Sequence, residues 1–164
     1  MTAVDLLKYG LGLSQQIIGG ALKDIKDEDL NQRPGPDSNT LAWQLGHIIS
    51  SEKEMLQNFP GFKYPDLPAG FSEKHANKPE ITKSDAPTGF TVADYVAQMH
   101  AIREATMARV AQLTDKDLDH PSEGGIKEMA PTLGTVLELA AQHFTMHSGH
   151  LSVLRRKLGK PVLF

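Results

Sequence analysis

Four stretches of this chain repeat their apolar residues every three to four positions, and none alternates apolar with polar residues at a spacing of two. That pattern restricts the fold to the all-α class. The first stretch runs from about Ala3 to Lys23, carried by Val4, Leu7, Leu11, Ile18 and Leu22. Gly10, Gly12 and the Gly19–Gly20 pair interrupt it, each costing about 1 kcal/mol relative to Ala in a helix interior. Their presence predicts either close packing at those glycines or an early end near Gly20. The second stretch follows Ser38–Asn39, both good N-cap types, and runs to about Asn58, before Phe59-Pro60-Gly61. The third begins at Thr91, with Asp94 placed to close a capping box, and carries Val92, Tyr95, Val96, Met99, Ile102, Val110 and Leu113. The fourth opens at Pro131–Thr132 and reaches Leu158. Arg155, Arg156 and Lys157 in its last turn, then Gly159 and Pro161, are a full helix C-terminal signature.

Four such helices within 164 residues read as one four-helix-bundle domain spanning residues 1–164. The connections are less regular. Phe59 to Phe90 joins the second and third helices and holds five prolines and five aromatic residues (Phe59, Phe62, Tyr64, Phe71 and Phe90). Structureless connections beyond about 12–15 residues are uncommon in compact domains. A crossover of this length implies that the bundle need not run simply up-down-up-down.

Composition removes several function classes. There is no cysteine, hence no disulfide, thiolate zinc site, iron–sulfur cluster or cysteine nucleophile. Seventeen basic against 20 acidic residues give a formal charge of −3, without the positive excess that nucleic-acid binding requires. No apolar run approaches the roughly 18 residues of a membrane span. Asp5 and Gln15–Gln16 break the N-terminal stretch where a secretory signal needs an apolar block, so a cytoplasmic protein is expected.

Histidine is the unusual residue in this composition. Seven are present, three of them within Gln142-His143-Phe144-Thr145-Met146-His147-Ser148-Gly149-His150. His143 and His147, four apart, project from one helix face and can converge on one metal ion. His150 lies on the same stripe, and residues seven apart are separated by about 10 Å along a helix, so His143 and His150 do not share an ion. Spacing allows either the 143/147 or the 147/150 pair. Val136, Leu139 and Leu154 share the stripe and turn it toward the bundle interior.

A third ligand must come from another helix. The best candidate is His47, midway along the second, with Trp43 one turn before and Ser51 one turn after on the same face. His75, His100 and His120 read as surface or boundary histidines. An HxxxH pair arises readily by chance, and a single interior histidine is more often a core residue than a ligand. Three interior imidazoles without acidic partners, however, are costly unless something satisfies them. Phe144 stands where a zinc protease of the HExxH type carries its general base. No Glu-x-x-His pairs, phosphate loop or G-x-S-x-G elbow is present.

Arg33-Pro34-Gly35-Pro36, Asn39-Thr40-Leu41-Ala42-Trp43-Gln44-Leu45-Gly46-His47 and His143-x-x-x-His147-Ser148-Gly149, leading into Leu154-Arg155-Arg156-Lys157-Leu158-Gly159, together resemble the DinB-like, damage-inducible, metal-dependent bundles. The resemblance runs from about Leu6 to Gly159. It implies one divalent metal ion, zinc or nickel before manganese or iron, held by His47, His143 and His147. It further implies a metalloenzyme, with thiol S-transferase chemistry on a small cellular thiol and an electrophilic substrate, in a homodimer. A metal-dependent hydrolase or a non-catalytic stress-response or structural bundle are the alternatives. No catalytic residue beyond the metal ligands is assigned. His150 stands where many relatives carry Gln, which makes it a candidate, with Trp43 and Ser51, for the surroundings of the ion or the pocket. Gly149 replaces the Glu of ergothioneine-type sulfoxide synthases, which disfavours that chemistry. Two further expectations concern the site. The Phe59–Phe90 crossover is expected to wall the pocket, with packing on the bundle or at a dimer interface as its alternative role. Metal affinity is expected to weaken as pH falls through about 6.5, where free imidazole protonates.

Overall fold

The structure, a computed structural model, describes residues 1–161. It contains six α-helices: α1 (Ala3–Leu22), α2 (Leu41–Leu56), the single turns α3 (Phe71–Lys74) and α4 (Pro79–Thr82), α5 (Val92–Val110) and α6 (Leu133–Lys157). Among the described residues there is no β-strand; one isolated antiparallel bridge joins Pro121 to Thr132. Among these residues no helix is long and apolar enough to cross a membrane.

A threonine caps the N-terminus of each long helix: Thr2, Thr40, Thr91 and Thr132 accept from the backbone N–H three residues on. The Thr91–Asp94 capping box forms as the sequence predicts. At α2 the cap is Thr40, one residue after the Ser38–Asn39 pair. α1 continues past Gly20 to Leu22. Only Gly10 meets a neighbour there: a Cβ on it would lie 3.8 Å from that of Ala141, ordinary contact, whereas Gly12, Gly19 and Gly20 face open space.

α1 and α2 occupy opposite corners of the bundle, each packed between α5 and α6. The ends fix the directions. Asp115, just past α5, accepts from the N–H groups of Ala3 and Val4 at the start of α1, and Leu118 packs on Gly134 at the start of α6. At the other end Arg155 of α6 pairs with Asp24, just past α1, and donates to the Ala21 carbonyl in the last turn of α1. The start of α5 is tied there too, Val92 N–H donating to Asp27. Helices α1 and α6 therefore run one way, and α2 and α5 the other. Joining two parallel neighbours requires a return along the bundle, and the 16 residues of α2 alone rise about 24 Å. That return is the physical reason for the long crossover.

The interior divides into two apolar clusters, one around Ile18, Ile48, Phe71, Tyr95 and Phe144, the other around Leu11, Leu56, Val110, Val136 and Leu137. Between them Arg103 pairs with Glu52, both about 1% exposed, with Nη2···Oε2 at 2.8 Å. Arg103 also donates to the Leu11 carbonyl and to Ser14, and Thr106 donates to Glu52 at 2.6 Å. The guanidinium lies 4.3 Å over the Phe144 ring. Each charge is thus paired and hydrogen-bonded, the condition under which a buried ion pair is tolerated.

Candidate metal centre

Helix α2 carries His47 and helix α6 carries His143 and His147, and the packing of these two helices brings the three rings together. One ring nitrogen from each lies within 4.8 Å of the others. Ring centroids are separated by 5.0 Å (47–143), 5.7 Å (47–147) and 4.9 Å (143–147). Tetrahedral ligation at about 2.0–2.1 Å places ligand nitrogens about 3.3 Å apart, which small ring rotations reach from here. Three imidazoles, free of neighbouring carboxylates at hydrogen-bond distance, are a donor set that fits a borderline divalent ion. The 143/147 pair is the one that meets His47. His150 stands outside the trio.

Burial keeps the rings neutral. It pushes the His47 imidazolium down to about 4, with His143 and His75 adding to the effect. The same desolvation lowers His143 and takes His147 to about 3, reinforced by His143, His47 and His150. A neutral imidazole is the ligating form. The folded trio is harder to protonate than free imidazole, so an ion held there would be lost to acid at lower pH than free imidazole would give.

The surroundings orient the rings. Trp43 stacks on His47, centroids 4.4 Å apart and planes 12° from parallel, and its indole N–H donates to the Ala76 carbonyl at 3.1 Å. Ser51 Oγ lies 3.5 Å from His47 Nδ1. Gln44, which sequence reasoning passed over, has the largest share in this. Its Nε2 donates to the Asn39 carbonyl at 3.0 Å, which fixes the amide so that Oε1 faces α6. That oxygen accepts from Nδ1 of His147 at 3.1 Å and of His150 at 3.0 Å. Nδ1 of His147 therefore carries its proton and Nε2 is the free donor, the arrangement in which an outer partner sets a ligand's tautomer. Its position three residues before His47, on the helix face turned to α6, was the available signal.

His47 and His143 line a cleft of about 1140 Å³, with His147 buried behind them. One side is helical: Ser51, Glu54, Met55 and Asn58 of α2, and Leu139, Gln142, Thr145 and Met146 of α6. The other side corrects the expectation for the crossover. Of its residues only Phe59 reaches the cleft; the wall is the connection between α5 and α6, through His120, Pro121, Glu123, Gly124, Gly125, Ile126 and Met129. Hydrogen bonds of Ser122 N–H to Pro131 at 3.0 Å and of Leu133 N–H to His120 at 2.8 Å pin this wall to the base of α6. The crossover packs on the bundle instead, with Phe62 and Phe71 buried.

The remaining histidines divide. His100 is exposed and meets Gln15 at 3.2 Å, as a surface histidine should. His120 is exposed at the cleft wall, edge-on to Phe59. His75 is not a surface residue: it is 1% exposed and wedged against Gly46. Its Nδ1–H donates to the Phe71 carbonyl at 2.6 Å, and its Nε2 accepts from Tyr95 O–H at 2.8 Å. The long proline-rich loop hid it, because nothing in a loop's sequence shows which face is folded inward.

The sequence model of the DinB superfamily matches residues 12–151, a span that contains all three clustered histidines. The chain belongs to the DinB superfamily. A crystal structure described as the conserved protein of locus from Enterococcus faecalis superposes with a TM-score of 0.64 over 98% of this chain and 99% of that one. At 17% identity the likeness speaks to the fold. No curated protein matches the chain.

Proposed function

We propose that this DinB-superfamily chain is a divalent-metal-dependent enzyme that activates a small thiol for transfer to an electrophile, with zinc or nickel held by His47, His143 and His147. The observation that carries this reading is the position of the trio: two of its rings line a large, mostly apolar cleft. Three protein ligands leave at least one coordination position for a substrate, the arrangement of catalytic rather than structural zinc sites. The ion, when bound, supplies the acidity that converts a coordinated thiol to thiolate near neutral pH.

The chain's own residues do the rest. Gln44 holds His147 with Nε2 free, and Trp43 clamps the plane of His47. Met55, Ile126, Leu139 and Met146 supply apolar walls that exclude bulk water around the second substrate. A cysteine-free protein has no thiol of its own to serve as nucleophile, which favours a nucleophile recruited from solution. The test is conjugation of a small thiol to a chromogenic electrophile by metal-loaded protein, with His143→Ala and a thiol-free reaction as controls. Thiol-dependent turnover lost in the variant supports the reading. Turnover without thiol identifies a hydrolase, and no turnover with metal bound leaves a binding or structural bundle.

A further inference from the structure

His120 lines the cleft on the wall formed by the α5–α6 connection, and the trio does not use it. Its backbone is held from both sides: its N–H donates to the Asp117 carbonyl at 3.2 Å, and its carbonyl accepts from Leu133 N–H at 2.8 Å. The ring sits edge-on to Phe59, with centroids 5.8 Å apart and planes at 76°. Its Nδ1 lies 3.0 Å from the Pro121 carbonyl oxygen. A carbonyl oxygen only accepts, so Nδ1 carries the proton, and in the neutral ring Nε2 is then a bare acceptor. That nitrogen belongs to an exposed ring and has no hydrogen-bond partner among the described residues.

Polar side chains on the helical wall are engaged with their own helices. Thr145 donates to the Ala141 carbonyl at 3.1 Å and Gln142 to Glu138 at 2.9 Å, while Ser51 lies against His47. Phe59, Ile126, Leu139 and three methionines, Met55, Met129 and Met146, share the cleft with His120. Met129 and Met146 are 73% and 55% exposed, so apolar surface stands open to a ligand there. Glu54 and Glu123 line the cleft too, and a divalent ion on the trio offsets their charge, so net charge does not select what binds. In a mostly apolar cleft, orientation is set by a few fixed polar groups.

We propose that His120 orients the ligand of this cleft: its Nε2 accepts a hydrogen bond from a neutral N–H or O–H group on a small molecule with an apolar body. The proposal deepens the reading above by naming a feature of the second substrate, and it rests on that reading in taking this cleft as the substrate site. The tautomer and the backbone of His120 are set before a ligand arrives, so little freedom is lost when the bond forms. A neutral hydrogen bond of this kind corresponds to a factor of about three to ten in dissociation constant.

The test uses the full chain, labelled with ¹⁵N in histidine and ¹³C at the methionine methyl groups, at pH 8, where free imidazole is neutral. Two isomeric probes are titrated, 3-methylindole, which keeps its N–H, and 1-methylindole, which lacks it; both are poor metal ligands. The methyl signals of Met55, Met129 and Met146 give the affinities, and the His120 Nε2 signal reports the contact. The expected result is tighter binding of 3-methylindole, by about three- to tenfold, with movement of the His120 Nε2 signal for that probe alone. In His120→Phe, which keeps a ring beside Phe59 and removes the acceptor, the two affinities should agree within about twofold. Equal or weaker binding of 3-methylindole by wild type, a comparison that needs no variant, would overturn the proposal. So would a preference that survives in His120→Phe, an unmoved His120 Nε2 signal, or no movement of the methionine signals with either probe. The titrations are run with and without zinc, and neither probe is a thiol. Failure of the thiol-transfer reading therefore shows separately, as absent metal binding or absent conjugation.

Discussion

Gly46→Ala tests how the site is built into α2. A Cβ at this position would lie under 3.0 Å from Cγ, Cδ2 and Nδ1 of His75, a separation that real Cβ contacts do not show. The ring cannot step aside freely, because Phe71 and Tyr95 hold both its nitrogens and it is 1% exposed. Displacing it forfeits two hydrogen bonds at about 1 kcal/mol each, and overpacking adds about 1–3 kcal/mol. The better helix propensity of Ala returns about 1 kcal/mol. The net loss is about 3 kcal/mol, or roughly 6–12 °C in Tm for a domain of this size. Urea unfolding followed by far-UV circular dichroism should show a lower midpoint at unchanged slope. Its partner measurement is a cycle with His75→Ala. Once the imidazole is gone, Gly46→Ala should become neutral or stabilising. A Gly46→Ala protein as stable as wild type, or equally destabilised in the His75→Ala background, would refute the reasoning.

Gly12→Ala is the converse case: its Cβ meets nothing within 4 Å in a helix interior, so unfolding should show a gain of about 1 kcal/mol. Glu52→Gln leaves Arg103 buried without its counter-charge and should cost about 3–5 kcal/mol by the same assay, a loss that raised salt does not relieve. His47, His75 and His147 titrate lower in the folded chain than the ordinary imidazole value of 6.5, so below that pH the unfolded chain takes up protons that the native one refuses. Stability of the metal-free protein is therefore full above about pH 6.5 and declines as pH falls toward 4; a urea midpoint unchanged between pH 7 and 5 would contradict this. Metal affinity, read by competition with a chromophoric chelator, should hold from pH 8 to about 6 and fall steeply only near pH 5–4, with His47 and His147 at about 4 and 3.

Local physics wrote most of the bundle into the sequence. Thr91 and Asp94 start α5 through a capping box within one turn, and Gly159, at positive φ with its N–H on the Arg156 carbonyl, closes α6. The three histidines were legible for the same reason: His143 and His147 share a face by spacing, and His47 sits mid-helix among apolar residues. What escaped depends on contacts distant in sequence. Gln44 acquires its role only when α6 presents His147 and His150 to it, more than a hundred positions away. His75 is drawn into the core by a loop whose path its own residues do not announce. The cleft wall comes from the α5–α6 connection because that segment is pinned beside α6 by Pro121–Thr132 pairing, while the aromatic residues of the crossover find burial on the bundle.

The proposed function stands or falls on whether His47, His143 and His147 bind one divalent ion. Elemental analysis of untagged protein, dialysed after purification with metal, tests it most directly. Wild type should hold about one equivalent per chain, with loss in His47→Ala, His143→Ala and His147→Ala, and full occupancy in His100→Ala and His120→Ala, whose rings lie outside the trio. His75→Ala is unsuitable as a control, since that ring is part of the core. Metal retained by the three variants of the trio, or lost equally in all five, would contradict the account.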